Sequence, residues 1–565
     1  MYLLHLALGG CLKAPPVRYG ITEDTGGHIA YVLGAAMAQA RQAEVDAVDI
    51  VTRAFEGAGF DPVHAQAVEP AGPGCRILRL STGNRSYLSK EALEAELPAL
   101  ERSFCALLAG MSRRPDVIHA HFADAARLAQ AAELAFGIPW IYTPHSLALQ
   151  KETEACLRPE LQTRIRAERA AVTSAGAIIV SSRDEAERQL LPYGAAAEGR
   201  AHCVVPGVTL LPNVGEGAAD RLLAPFLRAP DLPIVLAVAR PVRKKNLKGL
   251  IEAYAASPEL QARANLVIIA GLRDGIDGGP PEQAEVLRGL IDSIDRHGLW
   301  GKVALPSRHD AADLRSLYAR AAKGGVFVNP AFHEPFGLTL VEAAQAGVPV
   351  VATCNGGPAD ILDRLGHGAL VDPAKPLQIA TACLRLMGDR QGALAARVRA
   401  LAAFDWDRWA GHSIAICRNL RRPAPAPRDR VRRILACDID GTLTGCIAAA
   451  QRFGDWHGQR PDRLLFAVAT GRSLTEARRV LAEWSLPRPD LFITSVGTEI
   501  WRWSQGDRLL PCNDYARLLD ENWDRAGILS FLSGRPLQWQ AGHEQRQWKL
   551  SLFGTARLAR QIAHN

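Results

Sequence analysis

The stretch NPAFHEPFGLTLVEAAQAGVPVVATCNGGPADIL, residues 329–362, decides the fold. An apolar run over 325–329 ends at its first residue, and Pro335 and Phe336 open a segment, 338–346, with apolar residues at helical spacing. Proline costs little there, because its missing N–H would have no intrahelical partner in the first turn. A second apolar run follows at 348–352. Continuously apolar strands alternating with amphipathic helices indicate a parallel sheet covered on both faces.

The same alternation extends in both directions. Apolar runs at 47–52, 116–119, 140–143, 177–181, 233–238 and 265–270 are separated by longer amphipathic stretches such as 27–43. They group into two blocks, about 1–208 and 216–400, joined by VVPGVTLLPNVGEGAAD, whose Pro and Gly suit a hinge. RRPAPAPRDRVRR, residues 421–433, reads as a stiff linker, and a further strand at 434–437 opens a third block. The expectation is an α/β chain: a doubly wound domain over 1–210, a second over 211–422, a linker at 423–433 and an α/β domain at 434–565. A ligand cleft is expected at the carboxyl ends of the strands.

Composition narrows the function. The chain has 565 residues, 48% hydrophobic and 22% charged, enough for about three ordinary globular domains. No apolar run reaches the ~18–20 residues of a membrane span. The opening MYLLHLALGGCLK has no leading basic region and reads as a buried strand rather than a signal peptide. With eleven cysteines scattered and no metal-like spacing, a cytoplasmic protein with reduced thiols is expected. The net charge of +7 is too dilute for nucleic acid but suits phosphorylated substrates.

Several residues are placed to carry chemistry. The N–H groups of Phe336, Gly337 and Leu338 sit at a helix N-terminus, where free donors and the dipole can hold sugar hydroxyls or phosphate oxygens. Glu334 precedes that helix and Glu342 lies two turns into it. As an isolated pair they would be a cap and a surface charge. ARPVRKKN places Arg240 and Lys245 directly after a strand, two cations suited to a diphosphate. EDTGGHIAYV puts Gly26 and Gly27 before another helix, and TPHSLALQK puts His145 at a strand end.

EPFGLxxxE resembles the mark of retaining glycosyltransferases of the GT-B type, two Rossmann-like domains that use nucleotide-sugar donors. The order DTGG, HAHFADA, TPHSL, RPVRKKN, EPFGL and NGGP resembles the sucrose-phosphate synthase family over about 18–422. The resemblance implies transfer of glucose from UDP-glucose to fructose 6-phosphate with retention, without a metal or cofactor. It places Glu334 near the donor sugar, Glu342 on the ribose, Arg240 and Lys245 on the diphosphate, Gly26 and Gly27 beside it, and His145 close to the reacting sugar. His28, Lys151 and Arg164 fall on the acceptor side. Departures from the family pattern are His28 for glutamine, Val242 and Arg243 for Asp-Pro, and Cys354 for lysine. A GDP-mannose-dependent mannosylfructose-phosphate synthase, a sucrose synthase using free fructose and an inactive regulatory scaffold are alternatives.

In the third block, ILACDIDGTLTG resembles motif I of the haloacid-dehalogenase (HAD) phosphatases and VATGRS their motif II. The resemblance implies Asp438 as nucleophile, Asp440 as general acid, both as Mg2+ ligands, and Thr470 as the phosphate-binding hydroxyl. PDLFITSVGTEI and WKLSLF resemble the sucrose-phosphate phosphatases. Lys549 does not match the family's motif III lysine, and no motif IV acidic pair follows. A partial HAD-like domain without phosphatase activity is therefore expected, holding Mg2+ weakly if at all. A separate sucrose-phosphate phosphatase would then be the partner.

Overall fold

A computed structural model describes residues 1–22, 24–149, 159–194, 197, 199–208, 217–421, 433–459, 464–504, 508–521, 523–533, 535, 537–555 and 562. Packing groups the chain into two units, Met1–Pro115 with Val205–Gly411 and Asp116–Val204 with His412–Asn565. This grouping cuts across the sequence boundaries at 210 and 422, because the third block packs with residues 116–204.

Strands β1 (Tyr2–Leu6), β2 (Ala47–Arg53), β3 (Val68–Gly72) and β4 (Cys75–Leu80) open the first unit. β1, β2 and β4 pair in parallel, and β3 runs antiparallel to β4 at the edge. In the second unit β5 (Val117–His121), β6 (Trp140–Thr143), β7 (Ala177–Val180) and β8 (Ala201–Cys203) pair in parallel in chain order.

The rest of the first unit is a six-stranded sheet of β9 (Ile234–Val238), β10 (Asn265–Ile269), β11 (Val303–Ala304), β12 (Val326–Asn329), β13 (Val350–Thr353) and β14 (Ala369–Val371). All pairs are parallel, in the order β11-β10-β9-β12-β13-β14. Successive residues of one strand enter opposite cores. Val235, Ala237, Leu266 and Ile268 pack with helices Leu247–Ala255, Pro281–Arg296 and Pro376–Leu386. Ile234, Leu236, Val267 and Ile269 pack with helices Ala311–Ala321, Leu338–Gln345 and Arg390–Ala403. That two-sided burial is why these strands are apolar at every position, each large side chain contributing about 1.5–3 kcal/mol.

The third block forms β15 (Arg433–Cys437), β16 (Leu464–Ala469), β17 (Leu491–Thr494), β18 (Glu499–Trp503) and β19 (Leu509–Pro511) in sequential order. The first three are parallel and the last two antiparallel. β15 lies at the edge with Ile434 exposed.

Candidate active site

The six-stranded sheet reverses its winding between β9 and β12. Such switch points open a crevice at the carboxyl ends of the strands. Two loops leave there, one carrying Arg240 and Lys245, the other Glu334. Lys245 Nζ lies 2.5 Å from Glu334 Oε2, and Asn329 Nδ2 donates to the same oxygen at 2.8 Å. Asn246, in the left-handed region at φ 51°, donates through Nδ2 to the carbonyls of Pro330 and Pro373, 3.0 Å each. The Phe332 N–H bonds Lys244 O at 3.0 Å. The two loops are thus stitched into one rigid rim.

Burial alone would raise the Glu334 carboxyl, but Lys245, Asn329 and Lys244 outweigh it and hold the group below its ordinary value. Glu342 behaves oppositely. Burial pushes it up to about 6, only partly opposed by the Tyr318 hydroxyl that donates to Oε2 at 2.8 Å. One glutamate is therefore a fixed anion and the other titrates near neutrality. Gly337 caps the helix carrying Glu342 at φ 108°, and a Cβ there would meet Leu340 Cδ1 at 2.8 Å. Phe336 is buried in the core beside Phe404, so it offers the site only its backbone.

Gly26 caps helix Gly27–Ala40, and no side chain takes that role. A Cβ on Gly27 would lie 3.2 Å from Leu338 Cδ1, so this helix start and that of Leu338–Gln345 meet within the first unit. Asp24 steadies the approach by accepting the Lys90 N–H at 3.1 Å. His28 Nε2 lies 3.4 Å from Gly9 O. Burial pushes the His28 imidazole down to about 4, aided by the charges of Lys90 and Arg240, so it is neutral at physiological pH. Lys90 is a cation the sequence reading did not single out.

In the second unit His145 follows β6 at φ 54°, its Nε2 2.9 Å from His121 Nδ1, and the two rings stack. Arg164 reaches the same turn. Its Nη2 donates to Ser146 O at 2.8 Å and Ser146 Oγ at 3.0 Å, while Nε donates to Glu168 at 2.7 Å. Lys151 lies outside the described residues.

Asp438 and Thr470 follow the adjacent parallel strands β15 and β16. Asp438 Oδ1 accepts the Ile439 N–H, and Thr470 Oγ1 accepts that of Arg472. Arg472 grips both oxygens of Asp440, at 2.9 and 2.7 Å, and this bonding holds the carboxyl below its ordinary range. A carboxylate so held does not readily donate a proton, and a cation at it would face the Arg472 guanidinium. The arrangement at Asp440 therefore does not suit the Mg2+ site the motif implies. Lys549 Nζ lies 3.1 Å from Glu544 and 3.4 Å from Gly471 O. Among the described residues no helix is long and apolar enough to cross a membrane.

Residues 26–207 match the family model of the glycosyl transferase 4-like domain, residues 220–402 that of glycosyl transferases group 1, and residues 431–565 that of sucrose-6F-phosphate phosphohydrolase. Fold and matches together give the two-Rossmann-domain architecture of the glycosyltransferase families, followed by a HAD-like C-terminal block. The chain is similar to the sucrose-phosphate synthases: it is 32% identical over 475 residues to that of Zea mays, covering 69% of this chain and 44% of that protein. It thus spans about half the length of the curated relatives it matches, 44% in this case. The solved sucrose-phosphate synthase of Thermosynechococcus elongatus is similar at 28% identity and TM-score 0.61, over 74% of this chain and 98% of that one. Anabaena HepE in complex with UDP-glucose shares the fold at 17% identity and TM-score 0.51, over 74% of this chain and 99% of that one.

Proposed function

We propose that this chain transfers glucose from UDP-glucose to fructose 6-phosphate, giving sucrose 6-phosphate with retention at the anomeric carbon. The observation that carries the reading is the paired arrangement at the β9/β12 switch point: Lys245 against Glu334, and Glu342 beside Tyr318. The sucrose-phosphate synthase names of its relatives support the reaction, and the UDP-glucose complex of HepE shows what a protein of this fold holds.

In this reading Arg240 and Lys245 neutralise the diphosphate, the N–H groups at Gly337 and Leu338 and the Gly26–Gly27 turn add donors, and Glu342 accepts the ribose hydroxyls. The bond from C1 of glucose to the diphosphate breaks and leaves UDP. The acceptor hydroxyl attacks from the same face, and its proton passes to the departing phosphate oxygen. His145 stabilises the sugar as charge develops, with Glu334 beside the donor sugar. His28, Lys151 and Arg164 hold the phosphorylated acceptor, an arginine and a lysine together being suited to a phosphate dianion. The transfer uses no metal and no cofactor. The HAD-like block is catalytically silent, so a separate phosphatase consumes the product.

UDP-, ADP- and GDP-sugars, each offered with fructose 6-phosphate or free fructose, test this directly. Release of nucleotide with formation of a disaccharide phosphate is expected only for UDP-glucose with the phosphorylated ketose. Equal use of free fructose would overturn the acceptor, and preference for GDP-mannose the donor.

A further inference from the structure

Within the second unit the HAD-like block packs on the segment that leaves β7, and it does so with polar groups at and just after the end of its own motif II, joined by Glu544. Arg183, with its side chain 15% exposed, places Nη2 2.6 Å from Glu544 and 3.4 Å from Glu187, and Nε 3.6 Å from Glu476. Glu187 in turn accepts from the Ser473 hydroxyl. One turn further on, Arg478 Nη1 donates to Ala201 O at 2.6 Å and Gly199 O at 3.1 Å, at the start of β8. The fit is close: a Cβ on Gly199 would lie 2.0 Å from the Leu509 carbonyl oxygen. Charges this buried are tolerated only while paired, so the contact is held as a set.

The clamped segment continues through a π turn, Glu185–Gln189, into the 3-10 turn Leu191–Tyr193. The Tyr193 hydroxyl donates to Glu168 and accepts the Leu149 N–H at 3.2 Å. Glu168, fully buried, also accepts the Ala148 N–H at 2.9 Å and Arg164 Nε at 2.7 Å. Arg164 then holds Ser146, the neighbour of His145. Polar contacts lead from Ser473, Glu476 and Glu544 to Arg183 and Glu187, the helical turns of 185–193 carry the backbone on to Tyr193, and polar contacts lead from there to the turn bearing His145.

We propose that the HAD-like domain is a brace for the transferase: by clamping Arg183 and Glu187 it fixes Tyr193 and, through Glu168, the turn at 145–149 together with Arg164. Assigning that turn to the acceptor side rests on the proposed function; the mechanical coupling rests on the contacts alone. Arg183, Glu187, Tyr193 and Glu168 are positioning residues, and the domain's contribution is mechanical rather than hydrolytic.

The test uses the full chain with two variants that undock the block, Gly199→Val as a wedge and Ser473→Asp to set a carboxylate against Glu187. Adding Glu187→Gln to the latter restores a donor and redocks it. Amide exchange at Ala148 and Leu149 should accelerate about tenfold in both undocking variants and recover in the rescued pair. The KM for fructose 6-phosphate should rise about fivefold, with the KM for UDP-glucose unchanged. Unchanged exchange at Ala148 and Leu149 overturns the brace, as does faster exchange there with an unaltered acceptor KM. Should the parent chain fail to use fructose 6-phosphate, the proposed function falls while the exchange measurement still decides the brace.

Discussion

Lys245 Nζ and Glu334 Oε2 lie 2.5 Å apart, joining the loops that leave two neighbouring strands. Lys245→Met would leave a buried carboxylate with Asn329 but without its cation. Breaking such a pair costs up to about 3–5 kcal/mol, less here because Lys245 is 18% exposed. Transfer should fall about 10²–10³-fold, because in the proposed reaction the cation also faces the leaving diphosphate. Steady-state kinetics and a thermal melt check both, and parental turnover would contradict the assignment.

Glu342 predicts a pH dependence of nucleotide binding. Its carboxyl is pushed up to about 6, and in the proposed complex the ribose hydroxyls bind the charged form, so UDP affinity should rise as pH climbs through 6 and level off above it. Its effect on stability has the opposite sign: the folded-state value lies above the ordinary 4.5, so stability from this group is full below 4.5 and lost as pH rises through about 6. Tyr318→Phe removes a bond to the carboxylate and should move the binding midpoint upward, while Glu342→Gln should abolish it. Calorimetric titration with UDP from pH 5 to 8 reads all three.

Gly337→Ala forces an L side chain into φ 108° and against Leu340 Cδ1. The expected cost is about 1–3 kcal/mol, concentrated where the proposed reading has backbone donors meet the nucleotide. UDP should bind about tenfold more weakly in a chain whose circular dichroism matches the parent. Parental affinity would place the nucleotide elsewhere.

The grip of Arg472 on Asp440 predicts that sucrose 6-phosphate with Mg2+ yields no phosphate above the uncatalysed rate. Mg2+ should also leave the melting temperature unchanged. Metal-dependent release of phosphate would refute this reading of the block.

Much of the fold was legible because buried parallel strands are apolar at every position. The runs at 233–238, 265–270, 325–329 and 348–352 coincide with β9, β10, β12 and β13 to within two residues. Local motifs put Arg240, Lys245 and Glu334 on loops that directly follow strands and Glu342 on the helix after one, and the structure has them there. Their partners were not legible. Tyr318 meets Glu342 from another helix, and Lys90 acts on His28 from the start of the short helix Lys90–Leu93. Tyr193 meets Glu168 across 25 positions of sequence. Such pairings depend on how whole elements pack, which periodicity does not encode. Arg472 lies within motif II, yet its hold on Asp440, from the end of the neighbouring strand, shows only in three dimensions.

Lys245, Glu334, Glu342 and the Gly337 turn all hang from β9 and β12, neighbours in a single sheet, and from the helix after β12. In the proposed reaction the nucleotide sugar therefore finds its polar partners already assembled before any second substrate arrives. An ordered sequential scheme follows, with the donor entering first and UDP departing last. Added UDP should then compete with the nucleotide sugar while acting noncompetitively against the ketose phosphate.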